Sequence, residues 1–272
     1  MTHLIAIIGG GQMASALIGG LIQRGRAASQ IAVVEPFEGA RADLLSRYGV
    51  QAHSAAGAFL QEAALVVWAI KPQTFAQAAQ AAQAHTRAAL HLSVAAGIRS
   101  DTLAQWLHSE RIVRAMPNTP ALIGQGISGL YARAGVNDAD KAQIEQVMGC
   151  TGSFMWLEAE AQIDAVTALS GSGPAYVFYF LEAMREAGSA MGLTPAQSYQ
   201  LAIATFSGAS ALAAASSDAP EVLRERVTSK GGTTFAALSA MEQAGIKPAF
   251  IAAMQAAHQR AQELGDAFGA QP

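Results

Sequence analysis

A short segment in the last quarter of the chain, Thr228–Thr234, concentrates hydroxyl groups around two adjacent glycines. Glycines let the backbone curl so that successive N–H groups point to one side, which forms a nest for an anion such as a carboxylate. Hydroxyl groups can add hydrogen bonds to the same anion. An ordinary helix N-cap at Thr233 or Thr234 is the competing interpretation. The candidate ligand-binding residues are Ser229, Gly231, Gly232, Thr233 and Thr234.

A second anion-binding pattern opens the sequence. The apolar run Leu4–Ile8 is followed by Gly9–Ala14, which fits the G-x-G-x-x-A pattern between a strand and a helix. Gly9 allows the tight turn, Gly11 lets the backbone approach a pyrophosphate, and Ala14 keeps helix and strand close. The helix N-terminus also presents free N–H groups and the positive end of its dipole. The pattern predicts a dinucleotide site that comprises Gly9, Gly11, Gln12, Met13 and Ala14.

The end of the second strand candidate bears on which dinucleotide binds. Glu35 follows Val34, where an acidic side chain accepts hydrogen bonds from the adenine ribose hydroxyls. That residue favours NAD(H). Arg41 lies a turn or two further along the helix and could meet the 2′-phosphate of NADP(H). The sequence therefore leaves NADP(H) and NAD(H) as alternatives.

Small and polar residues end three further strand candidates, where open parallel sheets hold their ligands. Small side chains after the fourth strand would let the backbone close over a flat ring. A lysine after the third strand contacts a ribose or caps the sheet edge. An asparagine between two prolines orients a nicotinamide or a substrate, or else bonds its own backbone in a rigid turn. These candidates are Ala69, Lys71, Pro72, Ala95, Ala96, Gly97 and Asn118.

The elements that position these residues alternate between strands and helices in the first half, which predicts a Rossmann-like, doubly wound, mostly parallel sheet. The strand candidates are Leu4–Ile8, Ile31–Val34, Leu65–Ile70, Ala89–Val94, Ile112–Met116, Ile127–Tyr131 and Ser153–Leu157. The helix candidates between them are Gln12–Arg24, Gly39–Tyr48, Thr74–Ala84, Asp101–His108 and Asp138–Met148.

The second half has no strand pattern and predicts an all-helical domain. Prolines that fit first helical turns set helix starts near Gly173, Thr194 and Lys247. We expect a dinucleotide-binding domain over residues 1–160 and an all-helical dimerisation and substrate-binding domain over 161–272.

One helical stretch, Ala175–Leu181, is apolar on nearly every face and must be buried all round. It is interpreted as a core helix or as a helix covered by a second subunit. Because about 110 residues of helix cannot readily surround it, we favour a dimer.

Composition excludes several classes of function. The net charge of -3, with no basic stripe, argues against nucleic acid and against an anionic membrane as partners. The single cysteine and the scattered histidines predict neither a disulfide nor a metal site. The apolar N-terminus is interpreted as a first strand, so we expect a cytoplasmic protein. Charged residues make up only 14%, which suggests surface buried in an oligomer.

The motifs together resemble the pyrroline-5-carboxylate reductase family over nearly the whole chain. The segments that carry the resemblance are Ile8–Ala14, Ala69–Gln73, Ser93–Gly97, Arg114–Pro120, Asp164–Tyr176 and Val227–Thr234. The resemblance implies NAD(P)H-dependent reduction of the small molecule 1-pyrroline-5-carboxylate to L-proline, the last step of proline biosynthesis. It also implies interlocked helical domains in a homodimer, and often a pentamer of dimers.

The resemblance further implies roles in the Ser229–Thr234 loop. Hydroxyl and backbone N–H groups of this loop hold the substrate carboxylate. Thr234, the one catalytic candidate, hydrogen-bonds the ring nitrogen.

Two other functions remain open at this point. A β-hydroxyacid-type dehydrogenase has a similar two-domain plan but normally offers a catalytic lysine on the first long interdomain helix, and Gly171–Leu181 contains none. A protein that senses NAD(P)H without chemistry is the other. Oxidation of NAD(P)H on adding 1-pyrroline-5-carboxylate separates the three.

Overall fold

A central sheet organises the first half of the chain. The computed structural model describes residues 3–269, and within them the sheet has eight strands in the order β3-β2-β1-β4-β5-β6-β7-β8. Neighbouring strands are parallel except β6 and β7. This confirms the predicted mostly parallel, doubly wound fold. The strands are β1 Leu4–Ile8, β2 Ile31–Val34, β3 Ala52–His53, β4 Ala63–Trp68, β5 Leu90–Ser93, β6 Ile112–Met116, β7 Gly126–Ala132 and β8 Gly152–Trp156.

Helices pack on both faces of this sheet. Alternate side chains of β1 enter two separate apolar cores: Ile5 and Ile7 contribute to one, and Ala6 to the other. Because both faces are buried, the central strands are continuous apolar runs. The helices of this half are α1 Gln12–Gln23, α2 Glu38–Tyr48, α3 Pro72–Thr86, α4 Ser100–Leu107 and α5 Asp138–Met148.

Some predicted boundaries were wrong. The third strand candidate was placed two residues late, because β4 pairs with β1 from Ala63 and has ended before Ala69. The helix predicted from Thr74 begins at Pro72, whose fixed φ suits a first helical turn. Strand β3 was missed, since two residues are too short for a periodic pattern. Helix α3 ends at Thr86, two residues beyond the predicted Ala84, and the other boundaries shifted by one residue or matched.

The second half is helical as predicted, and within residues 3–269 no strand follows β8. Thr194 forms a capping box with Gln197, so α8 begins where the sequence predicted. The Ser/Gly-containing segment before α7 forms a π-helical turn over Thr167–Gly171. The remaining helices are α6 Gln162–Val166, α7 Gly173–Ala190, α8 Pro195–Ala214, α9 Pro220–Arg226, α10 Thr233–Gln243 and α11 Ile246–Gly269.

The chain divides into two compact units. Of the residues that the structure describes, those up to Gly173 and those from Ala257 onward form the first unit, and Pro174–Ala256 form the second. The end of α11 therefore belongs with the sheet. The domain boundary expected between residues 160 and 161 stays a prediction.

Helix α7 is not enclosed by its own chain. Val177, Phe178 and Tyr179 are 40%, 57% and 71% exposed. Its interpretation as a core helix was wrong, because few side chains of the second unit are buried at all. Exposed apolar surface of this size marks a protein–protein interface. Further exposed apolar side chains of the unit include Tyr199, Leu201, Ile203, Leu212, Phe235, Met241 and Ile251. Among the described residues, no helix has the length and apolar character needed to cross a bilayer.

Candidate active site

The turn between β1 and α1 requires glycine at its first position. Gly9 has a φ of 103°, and a Cβ there would lie 2.5 Å from the carbonyl oxygen of Ala69. The Gly9 N–H donates to the Val34 carbonyl at 2.8 Å. The turn is thus held between the ends of β2 and β4, the strands on either side of β1.

The start of α1 is open to a ligand. Gly11 is the N-cap, no side chain caps the helix, and a Cβ at Gly11 would meet nothing within 4 Å. Gln12 and Met13 form the first turn, and Ala14 is fully buried against the sheet. Free N–H groups beside open space fit a pyrophosphate. The residues present therefore suit the dinucleotide predicted for this turn.

The side chain of Glu35 is hydrogen-bonded to the same turn. Its Oε2 accepts the Gly10 N–H at 2.7 Å, and its Oε1 accepts the Phe37 N–H at 2.9 Å. The residue is only 7% exposed. Arg41 donates from Nη1 to the Glu35 and Pro36 carbonyl oxygens at 2.9 and 2.6 Å. The sequence predicted Glu35 as a ribose ligand but could not reveal its bond to Gly10.

The end of β4 lies beside the glycine turn. The Ala69 N–H donates to the Ile8 carbonyl at 2.8 Å. Lys71 is the exposed N-cap of α3, with Pro72 at the first helical position. Strand order reverses between β1 and β4, and open α/β sheets bind ligands at such a switch point.

The turn after β5 is supported by the end of α11. Gly97 has a φ of 76°, and a Cβ there would lie 3.1 Å from Leu264 Cβ and 3.4 Å from the Phe268 ring. Arg99 pairs with Asp266 at 2.6 Å. Ala95, which starts the turn, is buried, and Ala96 is half-buried. The sequence predicted the small residues but not this packing, because nothing local links positions so far apart.

Asn118 follows β6 and is half-buried. Its Oδ1 accepts the N–H of Ile127 in β7 at 3.0 Å. The oxygen therefore joins two segments of the sheet edge rather than bonding its own turn, which was the alternative prediction. The side-chain NH₂ group remains as a donor. All the candidate residues of the first unit thus follow the ends of β1, β2, β4, β5 and β6.

A buried arginine anchors the strand that leads to Asn118. Arg114 Nη1 lies 2.6 Å from Glu160 Oε1. Glu160 also accepts the N–H and the hydroxyl of Ser100 at 2.6 Å each, so it caps the start of α4. This network was not predicted from the sequence. A charged residue inside the apolar strand Ile112–Met116 was the signal that a partner had to exist.

The hydroxyl-rich loop lies in the second unit, at the start of α10. The Gly232 N–H donates to the Ser229 carbonyl at 3.0 Å, and Gly231 has a φ of 77°. This is the geometry of a type II turn, which needs glycine at its third position. A Cβ at Gly231 would meet nothing within 4 Å.

The threonines of this loop are not helix caps. The N-cap of α10 is Gly232, and no side-chain hydrogen bond caps the helix. The interpretation of Thr233 or Thr234 as an ordinary N-cap was therefore wrong. Thr228 is engaged elsewhere, since its hydroxyl donates to the Arg224 carbonyl at 2.6 Å. The loop therefore offers a ligand an uncapped helix start and the hydroxyl groups of Ser229, Thr233 and Thr234.

In the described part of the chain, no three His, Cys, Asp or Glu side chains are grouped so that they could hold a metal ion. Cys150 is half-buried, and burial raises the pKa of its thiol.

A Rossmann-type unit followed by a helical region with a wide apolar surface defines a two-domain NAD(P)H-dependent oxidoreductase. A family model for pyrroline-5-carboxylate reductase dimerisation matches residues 160–264, and one for NADP oxidoreductase, coenzyme F420-dependent, matches residues 4–97. The pyrroline-5-carboxylate reductase of Pseudomonas aeruginosa is 42% identical over 98% of this chain and 99% of its own. The chain belongs to the pyrroline-5-carboxylate reductase family.

Further relatives agree. The enzyme of Escherichia coli is 34% identical over 97% of this chain and 99% of its own. The solved pyrroline-5-carboxylate reductase of Coxiella burnetii has a TM-score of 0.89 at 35% identity, over 97% of this chain and 99% of that one. A Plasmodium falciparum pyrroline carboxylate reductase with NADP bound has a TM-score of 0.87 at 26% identity, over 97% and 98% of the two chains.

Proposed function

We propose that the chain reduces 1-pyrroline-5-carboxylate to L-proline with NAD(P)H, as the final step of proline biosynthesis. The observation that carries the proposal is the uncapped start of α10 at Gly232, in a loop rich in hydroxyls. Such a loop suits a small carboxylate. Because the chain belongs to the pyrroline-5-carboxylate reductase family, we infer that this carboxylate is 1-pyrroline-5-carboxylate. We therefore do not propose either alternative, a β-hydroxyacid-type dehydrogenase or a non-catalytic protein that senses NAD(P)H.

The loop before α10 holds the substrate carboxylate in this proposal. The Ser229 hydroxyl and the N–H groups of Gly231, Thr233 and Thr234 donate to it. Gly232, whose N–H is bonded to the Ser229 carbonyl, shapes the bend. These N–H groups lie at the positive end of the helix dipole, which favours an anion.

Thr234 acts on the ring nitrogen. Its hydroxyl donates to the neutral imine and accepts from the protonated iminium, so one group serves both forms. Protonation makes the ring carbon electrophilic. Thr234 is half-buried, whereas the neighbouring Thr233 is exposed.

The cofactor supplies a hydride from C4 of the nicotinamide. Gly9, Gly11 and the first turn of α1, from Gln12 to Ala14, hold its pyrophosphate. Glu35 accepts from the adenine ribose. The strand ends would hold the nicotinamide half, and the NH₂ group of Asn118 would orient it. The residues at these strand ends are Ala69, Lys71, Pro72, Ala95, Ala96, Gly97 and Asn118.

Positioning accounts for much of the rate. Holding two reactants in near-attack geometry lowers a barrier by about 7–11 kcal/mol in favourable cases. No dedicated strong acid is needed, because the substrate imine is itself basic. The residues proposed for the site accordingly include no histidine.

Assembly completes the proposal. The chain forms homo-oligomers through its dimerisation region. We place it in a pentamer of dimers in the cytoplasm, where reduced nicotinamide cofactor is supplied, with neither nucleic acid nor membrane as a partner. The exposed apolar surface of α7 supports the dimer.

Steady-state kinetics test the function and the role of Thr234 together. Loss of absorbance of the reduced nicotinamide on adding 1-pyrroline-5-carboxylate reports turnover. Thr234→Ala should lower kcat/KM by about 10- to 100-fold, because a hydrogen bond to a charged group contributes about 1.5–3 kcal/mol. Cofactor affinity should stay unchanged, and Thr234→Ser should restore most of the activity. An unaltered kcat/KM in Thr234→Ala would remove this residue from the mechanism.

A further inference from the structure

We propose that Glu35 makes this enzyme selective for NADH over NADPH. The inference rests on the proposed function only in that a nicotinamide dinucleotide occupies the glycine turn. It concerns the 2′ position of the adenine ribose, where NADH carries a hydroxyl and NADPH a phosphate.

The carboxylate of Glu35 is held at the edge of the dinucleotide site. Val34 at the end of β2 pairs with Ile8 at the end of β1, so Glu35 and the glycine turn are neighbours. Its two oxygens accept the Gly10 and Phe37 N–H groups at 2.7 and 2.9 Å. A Cβ on Gly10 would lie 3.0 Å from Glu35 Cγ. Packed and bonded at both oxygens, the carboxylate is not free to swing away from a ligand.

The remaining hydrogen-bonding capacity of Glu35 suits a ribose and not a phosphate. A carboxylate has about four acceptor sites, and two backbone N–H groups use two of them. The other two can accept from ribose hydroxyls, which are donors. A phosphate monoester carries a charge of about −1.5 to −2 at neutral pH and has little to donate. Placed here it meets a fixed like charge with little water to screen it, since Glu35 is 7% exposed.

The nearest cation does not offset this repulsion. Arg41 directs its Nη1 to the Glu35 and Pro36 carbonyl oxygens, at 2.9 and 2.6 Å. A 2′-phosphate would compete with these bonds for the guanidinium.

Direct binding of each dinucleotide, by isothermal titration calorimetry without 1-pyrroline-5-carboxylate, tests the inference. The wild-type Kd for NADPH should exceed that for NADH by on the order of 100-fold, as expected for opposed like charges in a binding site. Glu35→Gln should reduce this ratio at least about 10-fold by removing the charge. Glu35→Asp, which keeps the charge, should retain the preference for NADH. Glu38→Gln is the matched control, an exposed acid three residues along, and should leave the ratio unchanged.

The opposite results are equally clear. If Glu35 only stabilises the turn, Glu35→Gln weakens the binding of both dinucleotides to the same extent. The ratio of the two Kd values then stays unchanged, which overturns the inference. A wild-type preference for NADPH that Arg41→Ala abolishes would assign the choice to Arg41 instead. Equal affinities refute the selectivity alone, whereas failure of the wild type to bind either dinucleotide refutes the proposed function as well.

Discussion

Gly9 and Gly11 lie two positions apart in one turn, yet they are glycines for different reasons. At Gly9 both the positive φ and the Ala69 carbonyl exclude a side chain. At Gly11 the backbone is ordinary, with a φ of -73°, and the space beside it is open. We therefore expect Gly9 to be required by the fold and Gly11 to be required by the ligand.

Substitution of these two glycines should separate stability from binding. Gly9→Ala should lower the free energy of unfolding by about 2–4 kcal/mol, since it combines a left-handed φ with a steric clash. Gly11→Val should change stability by less than about 1 kcal/mol, the usual cost at an N-cap. It should raise the Kd for the dinucleotide at least about 30-fold, equivalent to about 2 kcal/mol. Urea denaturation and calorimetric titration measure the two effects. Normal dinucleotide affinity in Gly11→Val would show that no pyrophosphate lies against this turn.

Single residues were predictable where their chemistry is local. The glycine turn and the Ser229–Thr234 loop are each contained in a few consecutive positions, so spacing alone indicates them. Glu35 was predicted as a ligand, but its bond to Gly10 depends on strand pairing that no local pattern records. Arg114 and Glu160 are 46 positions apart and meet only through the sheet.

Strand β5 carries a histidine whose charge is suppressed by the elements around it. His91 is fully buried, and its Nδ1 accepts from Trp68 Nε1 of β4 at 3.1 Å. The proton therefore resides on Nε2, which has no well-formed hydrogen bond to the described residues. Burial, and then the charge of Arg111, lower the pKa of His91 to about 4.

This histidine makes the fold acid-sensitive. Its pKa is about 6.5 in an unfolded chain, so between about pH 6.5 and 4 the unfolded chain binds the proton more tightly. Stability is complete above that window and declines as pH falls through it. The loss from this residue should reach about 2 kcal/mol between about pH 7 and 5. His91→Gln should remove that part of the pH dependence in urea titrations, whereas His3→Gln, at an exposed position, should not. Identical pH profiles for wild type and His91→Gln would contradict the assignment.

The bounds of helices and strands were predictable where the apolar pattern is regular or where residues typical of a helix start mark the boundary. Strands β1, β2 and β6 and helix α5 match the predicted bounds because apolar runs or a polar helix start delimit them. The π-helical turn before α7 was not predictable, since Ser and Gly there are equally typical of a loop. The packing of Phe268 on Gly97 joins the end of α11 to β5, a tertiary contact without a local signal.

At the scale of the whole molecule, the main feature is the exposed apolar surface of α7. Phe178 and Tyr179 are mostly exposed in the single chain, although large apolar side chains are normally buried. We propose that a second copy of the chain covers these side chains. The apolar sequence of Ala175–Leu181 predicts burial that the single chain does not provide.

Charge on this surface should dissociate the assembly. The double substitution Phe178→Glu with Tyr179→Glu should weaken the dimer at least about 100-fold, as expected when central aromatic contacts of an interface are lost. Leu45→Glu, at an exposed apolar position of α2 in the first unit, is the control and should leave the dimer intact. Sedimentation equilibrium measures both. A doubly substituted protein that remains dimeric would place the interface elsewhere.

Isotope transfer tests the central claim, reduction of a cyclic imine by a bound nicotinamide, most directly. The purified protein is given 1-pyrroline-5-carboxylate and reduced cofactor, NADH or NADPH, fully deuterated at C4 of the nicotinamide, and the product is analysed by mass spectrometry and NMR. We predict L-proline that carries a single deuterium at C5 of the ring. Cofactor that remains reduced, or proline without deuterium at that carbon, would contradict the account.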